Sequence, residues 1–282
     1  MHIMMGSRRF PALPELAVLA VLALALGGCQ PASFGDITGS TPAAMPQDPA
    51  ALRAYADDLG KKYDRHPDDK AMALAYARVL KRLTQYAQAT AVLQRITVKH
   101  PHDFEILAAY GKALADAGRL QEAAEVLERA HTPERPNWSV LSAQGSVADQ
   151  LGNHDQAQSY YAAALKIVPD QPEVLSNLGL SYALQRQMPN AEQTLRKAAA
   201  QPGADMRVRQ NLALVLALQG KFAEAEDVSR RDLSPIDAAT NVAAIRQMIA
   251  QSDTWKDLKA AGRKSSKPAP DPSHPAQEGT QG

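Results

Sequence analysis

The sequence predicts an all-α protein, a solenoid of about five helix-turn-helix repeats with a capping helix at each end. Apolar residues make up 45% of the 282 residues and aromatic residues only 5%. This balance is typical of Ala- and Leu-rich helices, because strands favour β-branched and aromatic side chains. Small residues also recur every 34 residues through the middle of the chain. A period of this length is expected for stacked pairs of helices.

The phase of the repeats follows from the recurring small residues. We expect repeats at 70–103, 104–137, 138–171, 172–205 and 206–235. Their eighth positions are Ala77, Gly111, Gly145, Gly179 and Ala213, and their twentieth positions are Ala89, Ala123, Ala157, Ala191 and Ala225. Small residues are required where two helices approach too closely for a larger side chain. Gly118, Gly152 and Gly220 mark the turn within a repeat, and Pro67, Pro101 and Pro169 mark the end of a second helix.

The ends of the array differ from the repeats. Residues 51–67 keep the phase of a second helix and are predicted to form an N-terminal cap, and 237–250 is an amphipathic capping helix that shields the last repeat. The repeat domain is therefore expected over 51–255. The Pro-rich segments before and after it predict a flexible tether at 29–50 and a disordered tail at 256–282.

The first 28 residues have the layout of a secretion signal. Arg8 and Arg9 precede a short apolar run that ends at Leu26, about half the length of the ~20 residues that a spanning helix needs. Gly27 and Gly28 then lead to Cys29, the only cysteine of the chain. A single cysteine also excludes an intrachain disulfide.

The run Leu26-Gly27-Gly28-Cys29 resembles the lipobox of bacterial lipoproteins. The resemblance implies signal cleavage before Cys29 and diacylglycerol and N-acyl chains, such as palmitate, on that cysteine, which would hold the protein on a bilayer. The alternative is an unmodified thiol in the leader. Gln30 resembles the residue found at this position in lipoproteins sorted to the outer membrane, so we expect an outer-membrane protein facing the periplasm. No other cofactor is expected.

The repeats themselves resemble the tetratricopeptide repeat. Leu178-Gly179-Leu180-Ser181-Tyr182 and Gly220-Lys221-Phe222-Ala223-Glu224-Ala225 follow its pattern, and the resemblance covers roughly 67–231. It implies a right-handed superhelix whose concave groove binds a protein partner. The groove would be lined by the second, fifth, ninth, twelfth and thirteenth positions of each repeat.

The predicted groove changes from basic through polar to apolar along the stack. Its candidate residues are Arg78, Lys81, Arg82 and Lys112 at the basic end, Ser139, Ser142, Ser146, Asp149 and Gln150 in the middle, and Leu180, Leu184, Leu214 and Leu218 at the apolar end. A partner segment with acidic and apolar groups would fit this pattern. Alternatively, the leucines pack under the C-terminal cap and the basic residues form a solvated face. Asn177 and Asn211, at the sixth position, are candidates for recognition of a peptide backbone or are residues without a ligand role.

No catalytic constellation is found in the sequence. It has no phosphate-binding glycine loop, nucleophile elbow or His-Glu-x-x-His stretch. His100, His102 and Asp103 form the one tight cluster of metal-ligating types, but no cysteine and no further ligand lies at metal-binding spacing from the two histidines, so no metal site is expected. A formal charge of +1 gives no electrostatic reason to expect nucleic acid.

The full combination of lipobox, tether, repeats and closing helix resembles the repeat lipoproteins of the tight-adherence (Flp) pilus system, the TadD family. The resemblance is carried by the stretches 176–185 and 209–219 and by the ending at 241–248. It implies an adaptor that assembles or positions the pilus secretin. A pilotin or scaffold of another envelope machine, such as a type IV pilus or an outer-membrane assembly complex, would use the same repeats. An enzyme would require a sugar or peptide substrate in the groove.

Overall fold

The computed structural model describes residues 45–265, with side chains described as far as Gln251. Within this range the chain forms twelve α-helices and no β-strand, so the all-α prediction is confirmed. The helices α1 to α12 are Pro49–Arg65, Lys70–Arg82, Tyr86–Lys99, Phe104–Asp116, Leu120–Glu128, Trp138–Gln150, His154–Ile167, Pro172–Leu184, Met188–Ala199, Met206–Leu218, Phe222–Ser229 and Pro235–Ser265.

The first helix of every repeat begins at the predicted residue, and local capping explains why. Asp69, Asp103, Asn137 and Asp205 each accept a hydrogen bond from a backbone N–H in the first turn of the helix that follows. In the fourth repeat, Pro172 opens the helix instead. Both devices deal with backbone donors that the first helical turn leaves without an intrahelical partner.

The turn between the two helices of a repeat needs a left-handed backbone at its fifteenth position. Gly118, Gly152 and Gly220 adopt φ of 75°, 84° and 79° there. Thr84 and Arg186 occupy the same position in the first and fourth repeats, with φ of 58° and 61°. The turn is therefore kept in all five repeats, although only three of them use the residue that adopts it without strain.

The helices of each pair approach closely at the small positions. Gly145 is the sharpest case, because a Cβ added there would lie 2.5 Å from Cε1 of Tyr161, at the twenty-fourth position of the same repeat. An added Cβ at Gly111 or Gly179 would likewise lie 2.6 Å from the Cγ of a leucine in the paired helix. The alanines of the twentieth positions are fully buried. These contacts define the separation of the two helices.

Stacking of the pairs produces a superhelix whose inner side is built from first helices. The first helices α2, α4, α6, α8 and α10 contact one another in sequence, whereas second helices of successive repeats touch at most marginally. The first helices therefore lie on the more tightly curved side. We call their shared exposed side the concave face.

Both ends of the stack are capped by helices, with boundaries that differ from the prediction. Leu52 and Leu59 of α1 pack against Val79, and α1 begins at Pro49, inside the predicted tether. At the other end, Val242 of α12 packs with the buried residues of the fifth repeat.

The predicted limits of the closing helix were wrong. It begins at Pro235 and continues to Ser265, past the predicted end at residue 250 and into the predicted disordered tail. No proline interrupts the chain between these residues. No helix within residues 45–265 combines the length and apolar character needed to cross a bilayer.

An ionic network connects α9, the second helix of the fourth repeat, to Lys221, the residue immediately before α11. The Glu192 carboxylate accepts hydrogen bonds from Lys221 Nζ at 2.7 and 2.9 Å and from Arg196 Nη2 at 2.8 Å. Only 14% of the Glu192 side chain is exposed. The hydrogen bond from Lys221, supported by that from Arg196, lowers the pKa of Glu192 to about 2, although partial burial opposes the shift.

We predict that Gly145→Ala destabilises the protein by about 1–3 kcal/mol, because the rigid Tyr161 ring leaves no room for a methyl group. In a Tyr161→Ala background the same substitution should instead stabilise by up to about 1 kcal/mol, because alanine favours the helix. Chemical denaturation of the four variants measures the cycle. Additive effects would show that this close contact does not determine the packing.

We also predict that the ion pair of Glu192 contributes stability above about pH 4.5 that disappears as the pH falls to about 2. The pKa is depressed in the folded state, so protonation near pH 2 removes the contribution. The unfolding free energy of Glu192→Gln should be about 2 kcal/mol lower than that of the wild type at pH 7, after allowing for solvent screening, and equal to it near pH 2. Glu128→Gln is the control, because Glu128 is exposed and outside any ion pair among the described residues. A pH-independent difference for Glu192→Gln would contradict the linkage.

Candidate partner-binding surface

The concave face is held together by polar contacts between successive first helices. At least one such contact crosses each of the four boundaries between repeats. The contacts are the ion pair of Lys81 with Asp116 at 2.7 Å and the hydrogen bonds Lys112 to Ser139 at 2.6 Å, Asn177 to Ser142 at 3.2 Å, Ser181 to Asp149 at 2.8 Å and Asn211 to Ser176 at 3.0 Å. Many of the predicted groove residues therefore bind other repeats.

The two asparagines occupy equivalent places in this pattern. Asn177 donates to the fifth-position serine of the third repeat, and Asn211 donates to the fifth-position serine of the fourth. Asn211 is buried, and Asn177 is half-buried. Their amide nitrogens link neighbouring repeats in this structure.

The apolar end of the predicted groove is largely inaccessible. Leu180 is completely buried and Leu214 is 8% exposed, whereas Leu184 and Leu218 are half-buried. The prediction that Leu180 and Leu214 line an open groove was therefore wrong. The reason is that α8 contacts first helices on both sides and that α12 packs against α10 and α11.

The middle of the concave face contains a buried carboxylate. The Asp149 side chain has no exposed surface. Its Oδ1 accepts from Ser181 Oγ at 2.8 Å and lies 2.9 Å from His154 Nδ1, and its Oδ2 accepts from the Tyr161 hydroxyl at 3.1 Å. Burial raises the pKa of Asp149, and these hydrogen bonds oppose that effect. Asp149 is thus a buried residue that connects the third and fourth repeats through Ser181, and it does not line the groove.

The basic end keeps two exposed cations. Arg82 donates to Gln47 Oε1 at 3.2 Å. Arg78 is also exposed, and among the described residues it forms no hydrogen bond or ion pair. Since Lys81 and Lys112 are occupied by Asp116 and Ser139, Arg78 is the predicted basic residue with the greatest freedom to meet a partner.

The opposite charge is present further along the same face. Glu173, the second residue of α8, is half-buried and outside the hydrogen bonds and ion pairs of the described residues. The sequence interpretation did not include it, although its repeat position is one that predicts a groove residue. The sequence does not show that the cations near Glu173 form no ion pair with it.

The histidine cluster is a surface turn. His100 and His102 are exposed, and Asp103 caps α4 and pairs with Lys70 at 2.7 Å. Among the side chains that the structure describes, as far as Gln251, no three His, Cys, Asp or Glu residues converge as metal ligands. Cys29 and the cleavage residues before it lie outside the described residues.

Comparison with known proteins agrees with the repeat geometry. A family profile described as tetratricopeptide repeat matches residues 74–137 and 142–205. The fold is a tetratricopeptide-repeat superhelix. This fold is a protein-interaction scaffold, and no catalytic family is matched.

Solved structures share the fold at low sequence identity. A thermophilic tetratricopeptide-repeat protein of Thermus thermophilus is 22% identical with a TM-score of 0.57, over 63% of this chain and 98% of that chain. PilW, a widely conserved type IV pilus biogenesis factor, is 19% identical with a TM-score of 0.53, over 71% and 91%. A chain of an APC/C hetero-tetramer is 18% identical with a TM-score of 0.56, over 73% of this chain but only 40% of its own. No curated protein sequence matches. At these identities the likeness concerns the fold alone.

Proposed function

We propose that this tetratricopeptide-repeat protein is a lipid-anchored adaptor for assembly of a Flp-type pilus, binding the secretin or its assembly factors at the periplasmic side of the outer membrane. The observation that carries the binding role is the concave face, where the exposed Arg78 at one end and the half-buried Glu173 further along form no hydrogen bond or ion pair among the described residues. A protein segment that presents complementary charges would satisfy both.

The compartment and the machine are supported by the sequence. The lipobox at 26–29 provides the anchor, and Gln30 favours the outer membrane. A flexible coil of about 20 residues spans on the order of 25 Å, which would keep the repeats near the membrane surface. The closing-helix residues 241–248 support the tight-adherence family.

A second candidate is a scaffold or pilotin of a type IV pilus. The fold shared with PilW, a type IV pilus biogenesis factor, over 71% of this chain favours it. Both candidates use the same anchor and the same concave face. Neighbouring genes for a Flp-type or a type IV pilus would separate them.

The proposal predicts that anchoring and the concave face are both required for assembly. In pilus-producing cells, Cys29→Ser should move the protein out of outer-membrane fractions without loss of helicity. Arg78→Glu should leave the protein anchored and stable but reduce heat-resistant secretin multimers at least several-fold, because it reverses an exposed charge that stabilises nothing internally.

Lys166→Glu provides the matched control, since Lys166 is an exposed cation on the second helix α7. It should leave secretin multimers at the wild-type level. Normal multimers in the Arg78→Glu strain would exclude the basic end as the working surface, and retention of Cys29→Ser in the outer membrane would exclude the lipid anchor.

A further inference from the structure

Glu173 differs from the glutamate at the same position of another repeat. Glu105, the second residue of α4, forms an ion pair with Lys70 at 2.8 Å, and 65% of its side chain is exposed. Glu173 is more buried than this but has no ion pair and accepts no hydrogen bond within residues 45–251. Water and hydrogen-bond donors of the protein therefore stabilise the negative charge of Glu173 less than that of Glu105.

The polar groups around Glu173 are directed to other partners. Asn177, one turn along the same helix, donates to Ser142 at 3.2 Å. Of the two cations that act on Glu173 at longer range, Arg207 has its nearest carboxylate oxygen on Asp205 at 3.9 Å, and Lys112 donates to Ser139 at 2.6 Å. Burial raises the pKa of Glu173, and Arg207 and Lys112 oppose that rise.

The Glu173 carboxylate is incompletely solvated and lies on the concave face, so it can accept hydrogen bonds from a cation of a bound molecule. A guanidinium or ammonium group placed there would replace the lost hydration by charge-assisted hydrogen bonds. A phosphate or an acidic side chain would be repelled. The position therefore selects the sign of the charge that the bound molecule brings to the fourth repeat.

We propose that Glu173 binds a lysine or arginine side chain of the protein partner, and that together with Arg78 it determines the direction in which the partner segment lies across the repeats. This inference rests on the proposed use of the concave face. Arg78 lies in the first repeat and Glu173 in the fourth, so three spacings of about 10 Å separate them. An extended segment would bridge them with an acidic and a basic residue about nine positions apart.

Selection from a phage-displayed library of random 16-residue peptides tests the proposal on the full-length protein in detergent. Peptides selected on the wild type should be enriched in Lys or Arg at one fixed place, with Asp or Glu about nine positions away. Selection on Glu173→Lys should replace the basic residue by an acidic one at the same place. Glu105→Lys is the matched control and should select the wild-type pattern.

The affinity of the best wild-type peptide should then fall at least tenfold on Glu173→Gln, measured by fluorescence anisotropy with thermal unfolding as a check on folding. Peptides that lose affinity with Arg78→Glu but are indifferent to Glu173 would overturn this inference and leave the concave face as the binding surface. Peptides indifferent to both, or no enrichment at all, would contradict the concave face itself as well as the role of Glu173.

Discussion

The packing of the helices depends on a small residue at one fixed position of every repeat. At the eighth position of each repeat the residue is glycine or alanine, and across three of the pairs the space is filled by the twenty-fourth residue of the second helix, as Tyr161 fills it over Gly145. First helices of successive repeats also come into direct contact. Their facing polar groups are then close enough to bond, and the inner surface of the superhelix becomes a connected layer.

This layer of polar bonds determines which side chains of the concave face are available to a ligand. A polar side chain on the concave face is a candidate for ligand binding only if the adjacent repeat does not already use it. Lys81, Lys112, Asn177 and Asn211 are all used in this way. The surface that remains is defined by charge, with cations over the first repeat and a carboxylate over the fourth, and an asymmetric pattern of this kind favours one orientation of a bound segment.

The sequence predicted the periodic part of the molecule well because that part is determined locally. Small residues at fixed positions set the phase of all five repeats, and the Asp or Asn before four of the first helices and the glycine after three of them agree with that phase. Every first helix therefore begins where predicted. The limits of α12 were missed because residues that favour a helix, with no proline among them, extend from Ile236 to Ser265, and the periodicity gives no sign of where such a helix ends.

The surface was predicted less well, for a physical reason. Whether Lys81 is free depends on Asp116 in the next repeat, and the burial of Leu180 depends on first helices on both sides. Such pairings depend on the angle between repeats, which the repeat pattern does not specify. Asp149, predicted from sequence to line the groove, is internal, and the unpaired state of Glu173 follows from the partners of its neighbours, which the sequence does not specify.

Polar bonds made by first helices, to one another and to the second helix of their own repeat, hold neighbouring repeats in register, and hydrogen exchange in Asp149→Leu tests this most directly. The substitution deprives Ser181, Tyr161 and His154 of their shared acceptor, so opening of α6 to α8 should become easier by about 3 kcal/mol, or on the order of 100-fold faster exchange, while α2 and α3 keep their protection. Gln150→Leu, the exposed next residue, should leave exchange in α6 to α8 nearly unchanged. Equal protection in the two variants would contradict the claim.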